Sequence, residues 1–225
     1  MEKNLRRASY FGNSFLGLFL STNNSHTIFP PDASQSLVDK ASAALKTIPL
    51  QCSVFDSNLL GVYTAMNSNG MLLPENTSKE TAALLKKETG LNVSLFRSKL
   101  NANGNNIAAN DKGGIANPRL SKKELKAAED CLGVEIVPMS LCGYTTVGSL
   151  CIATNRGFLV HFQASERERE ELSGILKVRG MNGTANLGTG FVSVCMLAND
   201  KGYIAGEATS VYELGRAEEA LGFLG

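Results

Sequence analysis

The 225-residue chain has no tryptophan and only two histidines, His26 and His161. With two dispersed imidazoles and no acidic cluster beside them, a metal cage is not expected. A Ser-His-carboxylate hydrolase is not expected either, since no Gly-x-Ser-x-Gly elbow occurs. The five cysteines, at 52, 131, 142, 151 and 195, include no Cys-x-x-Cys pair. They read as buried thiols of a reducing compartment rather than as a zinc or redox motif. Charge of one sign is lacking too: 22 Lys and Arg against 21 Asp and Glu leave a net charge of +1. That disfavours binding to bare nucleic acid or to an anionic membrane surface through bulk positive charge. No apolar run approaches the ~20 residues of a membrane span. The longest, Phe191 to Ala198, is interrupted by Ser193. Lys3, Arg6 and Arg7 precede the apolar stretch Phe15 to Leu20, but six residues including a glycine are too few for a secretion signal. A soluble, cytoplasmic protein is the expectation. The composition is nonetheless that of a folded chain, with 43% hydrophobic and 19% charged residues.

What is present is a period. Asn110-Asp111-Lys112-Gly113 recurs verbatim as Asn199-Asp200-Lys201-Gly202, 89 residues on. Halving that interval leads to Thr154-Asn155-Arg156-Gly157. Stepping backwards finds Asn67-Ser68-Asn69-Gly70 and then Asn23-Asn24-Ser25-His26. Anchoring on Asn23, Asn67, Asn110, Asn155 and Asn199 gives intervals of 44, 43, 45 and 44, so five units span the chain. A glycine precedes the anchor by six residues at Gly17, Gly61 and Gly104, by seven at Gly148, and the fifth copy departs with Gly190.

Each unit carries the same local signals. Apolar or β-branched residues between glycine and anchor, as in Val62 to Met66 or Leu150 to Ala153, read as a short strand ending in an Asn/Gly turn. A second short strand follows, as in Met71 to Leu73 or Phe158 to Val160. Capping boxes then open a helix at Thr77/Glu80, Ser121/Glu124, Ser165/Glu168 and Ser210/Glu213. Ser34 holds the same place in the first unit, without the glutamate. Gly90 and Gly133 suit helix termination. A third strand is expected at Gln51 to Phe55, Asn92 to Phe96 and Glu135 to Met139. An initial strand near Asn4 to Tyr10 lacks a helix before it, so the C-terminal helix is expected to pack beside it and close a ring. The fold expected is one domain over residues 1–225, a closed five-bladed α/β propeller with pseudo-fivefold symmetry and repeats of about 44 residues.

The remaining chemical signals are weak. The glycine-rich stretch 183–190 lacks the Lys-Ser/Thr of a phosphate-binding loop and reads as a connection between units. Cys151 and Cys195 each precede an anchor by four, so they read as equivalent strand residues. The run Glu166 to Glu171 suits a solvated helix start.

Taken in phase, several motifs resemble the translation initiation factor 6 family, of archaeal type: Leu59-Leu60-Gly61, Gly70 to Pro74, Gly104-Asn105, Leu132 to Glu135, Val147-Gly148-Ser149, Leu159-Val160-His161 and Gly183 to Asn186. Phe162 departs from a proline common there, and Val62 from a basic residue of some members. The resemblance implies a pentein-type propeller without enzymatic activity or cofactor, acting as a monomer. It implies binding to the intersubunit face of the large ribosomal subunit. The contact would lie near the sarcin–ricin loop, mainly through a ribosomal protein with minor rRNA contact. It further implies steric prevention of small-subunit joining and a role in large-subunit biogenesis. Carried onto this chain, the ribosome-binding positions are Asn105 and Asn67, then Val62 and Leu150. The alternative is a guanidine-modifying enzyme of the same propeller, with Cys195 and His161 as the forced catalytic choice.

Overall fold

The computed structural model describes residues 6–224. The chain opens with β1 (Arg7–Ala8) and then repeats one plan five times. Unit 1 holds α1 (Leu16–Phe19), β2 (Ser21–Thr22), β3 (His26–Phe29), α2 (Gln35–Leu45) and β4 (Ile48–Gln51). Unit 2 holds α3 (Leu60–Tyr63), β5 (Ala65–Met66), β6 (Gly70–Pro74), α4 (Lys79–Thr89) and β7 (Asn92–Phe96). Unit 3 holds α5 (Asn103–Asn106), β8 (Ile107–Ala109), β9 (Gly114–Ala116), α6 (Lys122–Leu132) and β10 (Ile136–Pro138). Unit 4 holds α7 (Val147–Leu150), β11 (Cys151–Ala153), β12 (Phe158–His161), α8 (Glu166–Leu176) and β13 (Gly180–Gly183). Unit 5 holds α9 (Val192–Cys195), β14 (Met196–Asn199), β15 (Gly202–Gly206) and α10 (Val211–Ala220).

The five sheets have three strands each. The inner strand pairs antiparallel with the middle one across the Asn turn, and the middle strand pairs parallel with the outer one after the long helix crosses over, as in Ala65↔Leu72↔Ser94. Among the described residues unit 5 shows no outer strand of its own. β1 fills that place, pairing parallel with β15 through Arg7↔Ala205 and Ala8↔Gly206. Arg6 holds the same junction from the side, 3.0 Å from Glu218 on α10.

The middle strands are buried along their whole length, as strands covered on both faces must be. The long helix of each unit packs on the sheet of the unit before it. Ala128, Cys131 and Leu132 of α6 join Leu72 and Phe96 of unit 2 in one apolar cluster, and Leu37, Val38, Ala41 and Leu45 of α2 join Leu197 and Ile204 of unit 5. Five such clusters exist, each shared by neighbouring units. No unit buries its apolar face alone, which is the thermodynamic reason the repeats come as a set.

The caps follow the sequence in most units. Ser121/Glu124, Ser165/Glu168 and Ser210/Glu213 form complete capping boxes, and Ser34 caps Leu37. In α4 the cap shifts by one residue: Ser78 caps Thr81, while Thr77 is buried before the helix. Gly90 and Gly133 end their helices in the left-handed conformation, a place taken in α2 and α8 by Lys46 and Lys177.

Five expectations change. The segment after each glycine is not strand throughout; it opens with a one-turn helix, and only two to four residues of strand follow. The first outer strand is Ile48–Gln51 rather than Gln51 to Phe55. The first strand is Arg7–Ala8; Asn4 and Leu5 lie outside the described residues. The anchor of unit 4 is Thr154, not Asn155, because it is Thr154 N that bonds Gly157 O, as Asn110 N bonds Gly113 O. Measured from Thr154, Gly148 sits six residues ahead like its counterparts. Cys151 and Cys195 are then not equivalent: Cys195 ends α9 where Leu150 ends α7.

Candidate functional site

The one-turn helices α1, α3, α5, α7 and α9 pack each on the next, and α9 packs on α1. Their backbones touch. A Cβ on Gly61 would lie 1.9 Å from Gly17 O, on Gly104 1.9 Å from Gly61 O, and on Gly148 2.2 Å from Gly104 O. At these three positions any side chain would collide with the neighbour's carbonyl, so glycine is needed. In unit 5 Ser193 takes the position and donates to Gly148 O at 2.5 Å. The five helices surround a small channel of ≈ 130 Å³. Its walls include Asn105 and Val194, and its floor is formed by Thr22, Met66, Ala109, Ala153 and Ala198.

Below that floor lie the anchor turns, which close the opposite end. Asn23, Asn67, Asn110 and Asn199 each turn an amide to the next anchor's carbonyl, with Asn199 reaching Asn23 O at 2.9 Å. Three of them also bond the last turn of the next unit's helix, at Leu132 O, Leu176 O and Leu45 O. Thr154 is too short to make the link from unit 4. There the residues one step on, Asn24, Ser68, Asp111, Asn155 and Asp200, carry the connection as a second polar ring. Asn155 Nδ2 meets both Asp111 Oδ2 (2.6 Å) and Asp200 Oδ2 (2.7 Å), and Asn24 Nδ2 meets Asp200 Oδ2 at 2.7 Å. The Oδ1 atoms of Asn24 and Asn155 accept from Asp200 N and Asp111 N. Donors therefore face the carboxylates, and the ring is satisfied from within.

The four carried-over positions thus separate. Asn105 and Val62 are half-exposed equivalents on the adjacent helices α5 and α3. The Asn105 side chain makes no hydrogen bond with the described residues. Asn67 lies at the other end, 4% exposed, with its amide spent on Asn110 O and Leu132 O. Leu150 is fully buried in the core shared by units 3 and 4 and offers no surface. The residue after Gly148 is Ser149, itself buried and donating to Thr146 O. Small turns lead into four of the one-turn helices, α5 excepted. These turns expose Phe11 (75%), Leu187 (77%) and Tyr144 (42%), features without a periodic sequence signal.

The alternative catalytic pair has the wrong environment. Burial pushes the Cys195 thiol up to about 12, with the Glu213 charge adding to it, whereas a nucleophilic cysteine needs a depressed value. All five cysteines are free thiols. Burial lowers the His161 pKa against the opposing pull of Glu168, and its Nδ1 accepts from Gln163 N. The glycine-rich loop has a structural occupant: Gly188 N, Leu187 N and the Thr184 hydroxyl all donate to the Glu213 carboxylate. No group of three His, Cys, Asp or Glu able to hold a metal occurs among the described residues. No helix among them is long and apolar enough to cross a membrane.

The profile of the eIF-6 family matches residues 5–220. The chain is 36% identical to translation initiation factor 6 of Pyrobaculum aerophilum, over 94% of this chain and 96% of that protein. It is 35% identical to the factor of Picrophilus torridus, over 96% and 99%. With that of Methanosarcina mazei it shares 34%, over 98% and 99%. The repeated turns, the glycine-lined ring of one-turn helices and these relatives agree: the chain belongs to the eIF-6 family, whose members named here are translation initiation factors.

Proposed function

We propose that this chain binds the large ribosomal subunit on its intersubunit face and there blocks premature joining of the small subunit, with a part in large-subunit biogenesis. In this reading residues 1–225 are a single cytoplasmic domain, a closed propeller of pentein type that acts as a monomeric, rigid wedge and catalyses nothing. The docking end is the one bearing Asn105 and Val62. Asn67 and Leu150 serve it from within, Asn67 by tying units 2 and 3 together and Leu150 by filling the core under α7.

The observation that carries the reading is the half-buried Asn105 amide at the central channel, which makes no hydrogen bond with the described residues. An unbonded surface amide suits a directional contact with a partner, and a net charge of +1 suits a protein partner better than bare RNA. The test is sucrose-gradient cosedimentation with isolated subunits. The wild-type chain should travel with large subunits and reduce subunit joining. Asn105→Ala should weaken cosedimentation by about tenfold or more, the loss of one central polar contact, at unchanged melting temperature. Absence of cosedimentation by the wild-type chain would remove the function; equal binding by the variant would remove the site.

A further inference from the structure

The five units differ at one connection. Between outer strand and next one-turn helix, residues 52–59, 139–146 and 184–191 form eight-residue links, and 9–15 a seven-residue one. Each of these four contains a small hairpin, closed at Val54↔Ser57, Leu141↔Tyr144, Ala185↔Thr189 and Tyr10↔Asn13. The link 97–102 has six residues and no hairpin. In its place a groove of ≈ 780 Å³ opens between this link and the start of α6.

The groove's chemistry is consistent along its length. Leu95, Leu100 and Ala127 form an apolar floor, and Lys99, Arg119 and Lys123 stand over it with no acidic partner among the described residues. The two acids at the rim are already engaged: Glu75 pairs with Arg97 at 3.4 Å, and Glu124 closes the Ser121 capping box. The main chain is open as well. At the start of β7 the Cys131 thiol and Asn92 tie the strand edge to α6, whereas the main chain of Ser98 and Lys99 makes no hydrogen bond with the described residues.

We infer that this groove docks an extended acidic segment of a partner protein. The segment adds its main chain to Ser98 and Lys99, sets alternate apolar side chains on the floor and presents carboxylates to Lys99, Arg119 and Lys123. Ser98 and Lys99 follow the end of the outer strand β7 with their main chain unbonded; open main chain with a pocket beneath it suits strand addition, and three unpaired cations supply the complementary charge. A nucleic-acid strand fits less well: two carboxylates stand at the rim, and Phe96, the one aromatic in the lining, is only 2% exposed and unavailable for base stacking. The inference does not depend on the ribosomal reading.

The test uses the full chain and a fluorescein-labelled nine-residue peptide alternating glutamate with leucine, followed by anisotropy. The peptide should bind, with amide shifts at Ser98 and Lys99 in the nuclear magnetic resonance spectrum. Lys99→Glu combined with Lys123→Glu should weaken binding at least about tenfold; both side chains are exposed, and an unchanged melting curve would show the fold intact. The same peptide with lysine for glutamate should not bind, and a nine-nucleotide oligouridylate should not compete. Failure of the acidic peptide to bind, indifference to the double substitution, or tighter binding of the oligouridylate would each overturn the proposal.

Discussion

At the scale of the residue, Asn103 is the clearest anomaly. It opens α5, the place held by Leu16, Leu60, Val147 and Val192 in the other one-turn helices. Like them it is fully buried, but neither its Oδ1 nor its Nδ2 has a partner. Burying an unpaired polar group costs about 1–3 kcal/mol. Asn103→Leu restores the side chain used at two equivalent positions, so it should raise the unfolding free energy by about 1–3 kcal/mol; a denaturant midpoint that stays or falls would refute this. The register of single residues was only partly legible. Asn155 looks like the anchor because asparagine anchors every other unit, yet a threonine hydroxyl can make the same turn bonds, and Thr154 does so to Arg156 N and Gly157 N. That one-residue difference is also why Leu150 reads as a surface position when Ser149 holds the register.

At the scale of the element, the long helices were written locally and the one-turn helices were not. An eleven-residue helix repeats its apolar face and bonds its own cap, so Ser121/Glu124 and Gly133 could be read directly. A four-residue helix has no period to read; its glycine is explained only by the neighbour's carbonyl. The capping glutamates also carry a tertiary task that no spacing reveals. Glu168 accepts from Cys142 N, and Glu213 from Gly188 N and Leu187 N, so each ties a helix start to the turn entering a one-turn helix. Burial opposes the charge on Glu213, but hydrogen bonds from Ser210, Gly188 and Thr184 outweigh it and hold the carboxyl below its ordinary range. A depressed folded value stabilises the fold above the unfolded value of ~4.3 and is lost as pH falls through the folded one. Glu213→Gln should therefore lower stability by about 3 kcal/mol at neutral pH, where charged hydrogen bonds are lost. It should also flatten the acid limb in urea titrations between pH 5 and 3; an undiminished limb would place the acid sensitivity elsewhere.

At the scale of the whole molecule, stability is expected to depend on pH above that range as well. His26 and His161 are both buried, and burial is the first cause lowering the pKa of each. The unfolded chain takes up protons first, near 6.5, so stability present above that pH declines as pH falls towards the folded values. The urea midpoint should drop between pH 7 and 5.5, and the drop should shrink in His26→Gln/His161→Gln. A parallel profile in the double variant would assign the change to other groups.

The five-unit period, the turns and the long helices were legible in the sequence alone, because turn residues, caps and apolar spacing act within a few residues of each other. The partner of β1, the separation of Asn67 from Asn105, the burial of Leu150 and the open link 97–102 were settled only in three dimensions. Each depends on contacts between units, as in the bond from Asn23 to Asn67 and that from Asn186 to Ser14, and no local pattern encodes which side of a repeat its neighbour will cover.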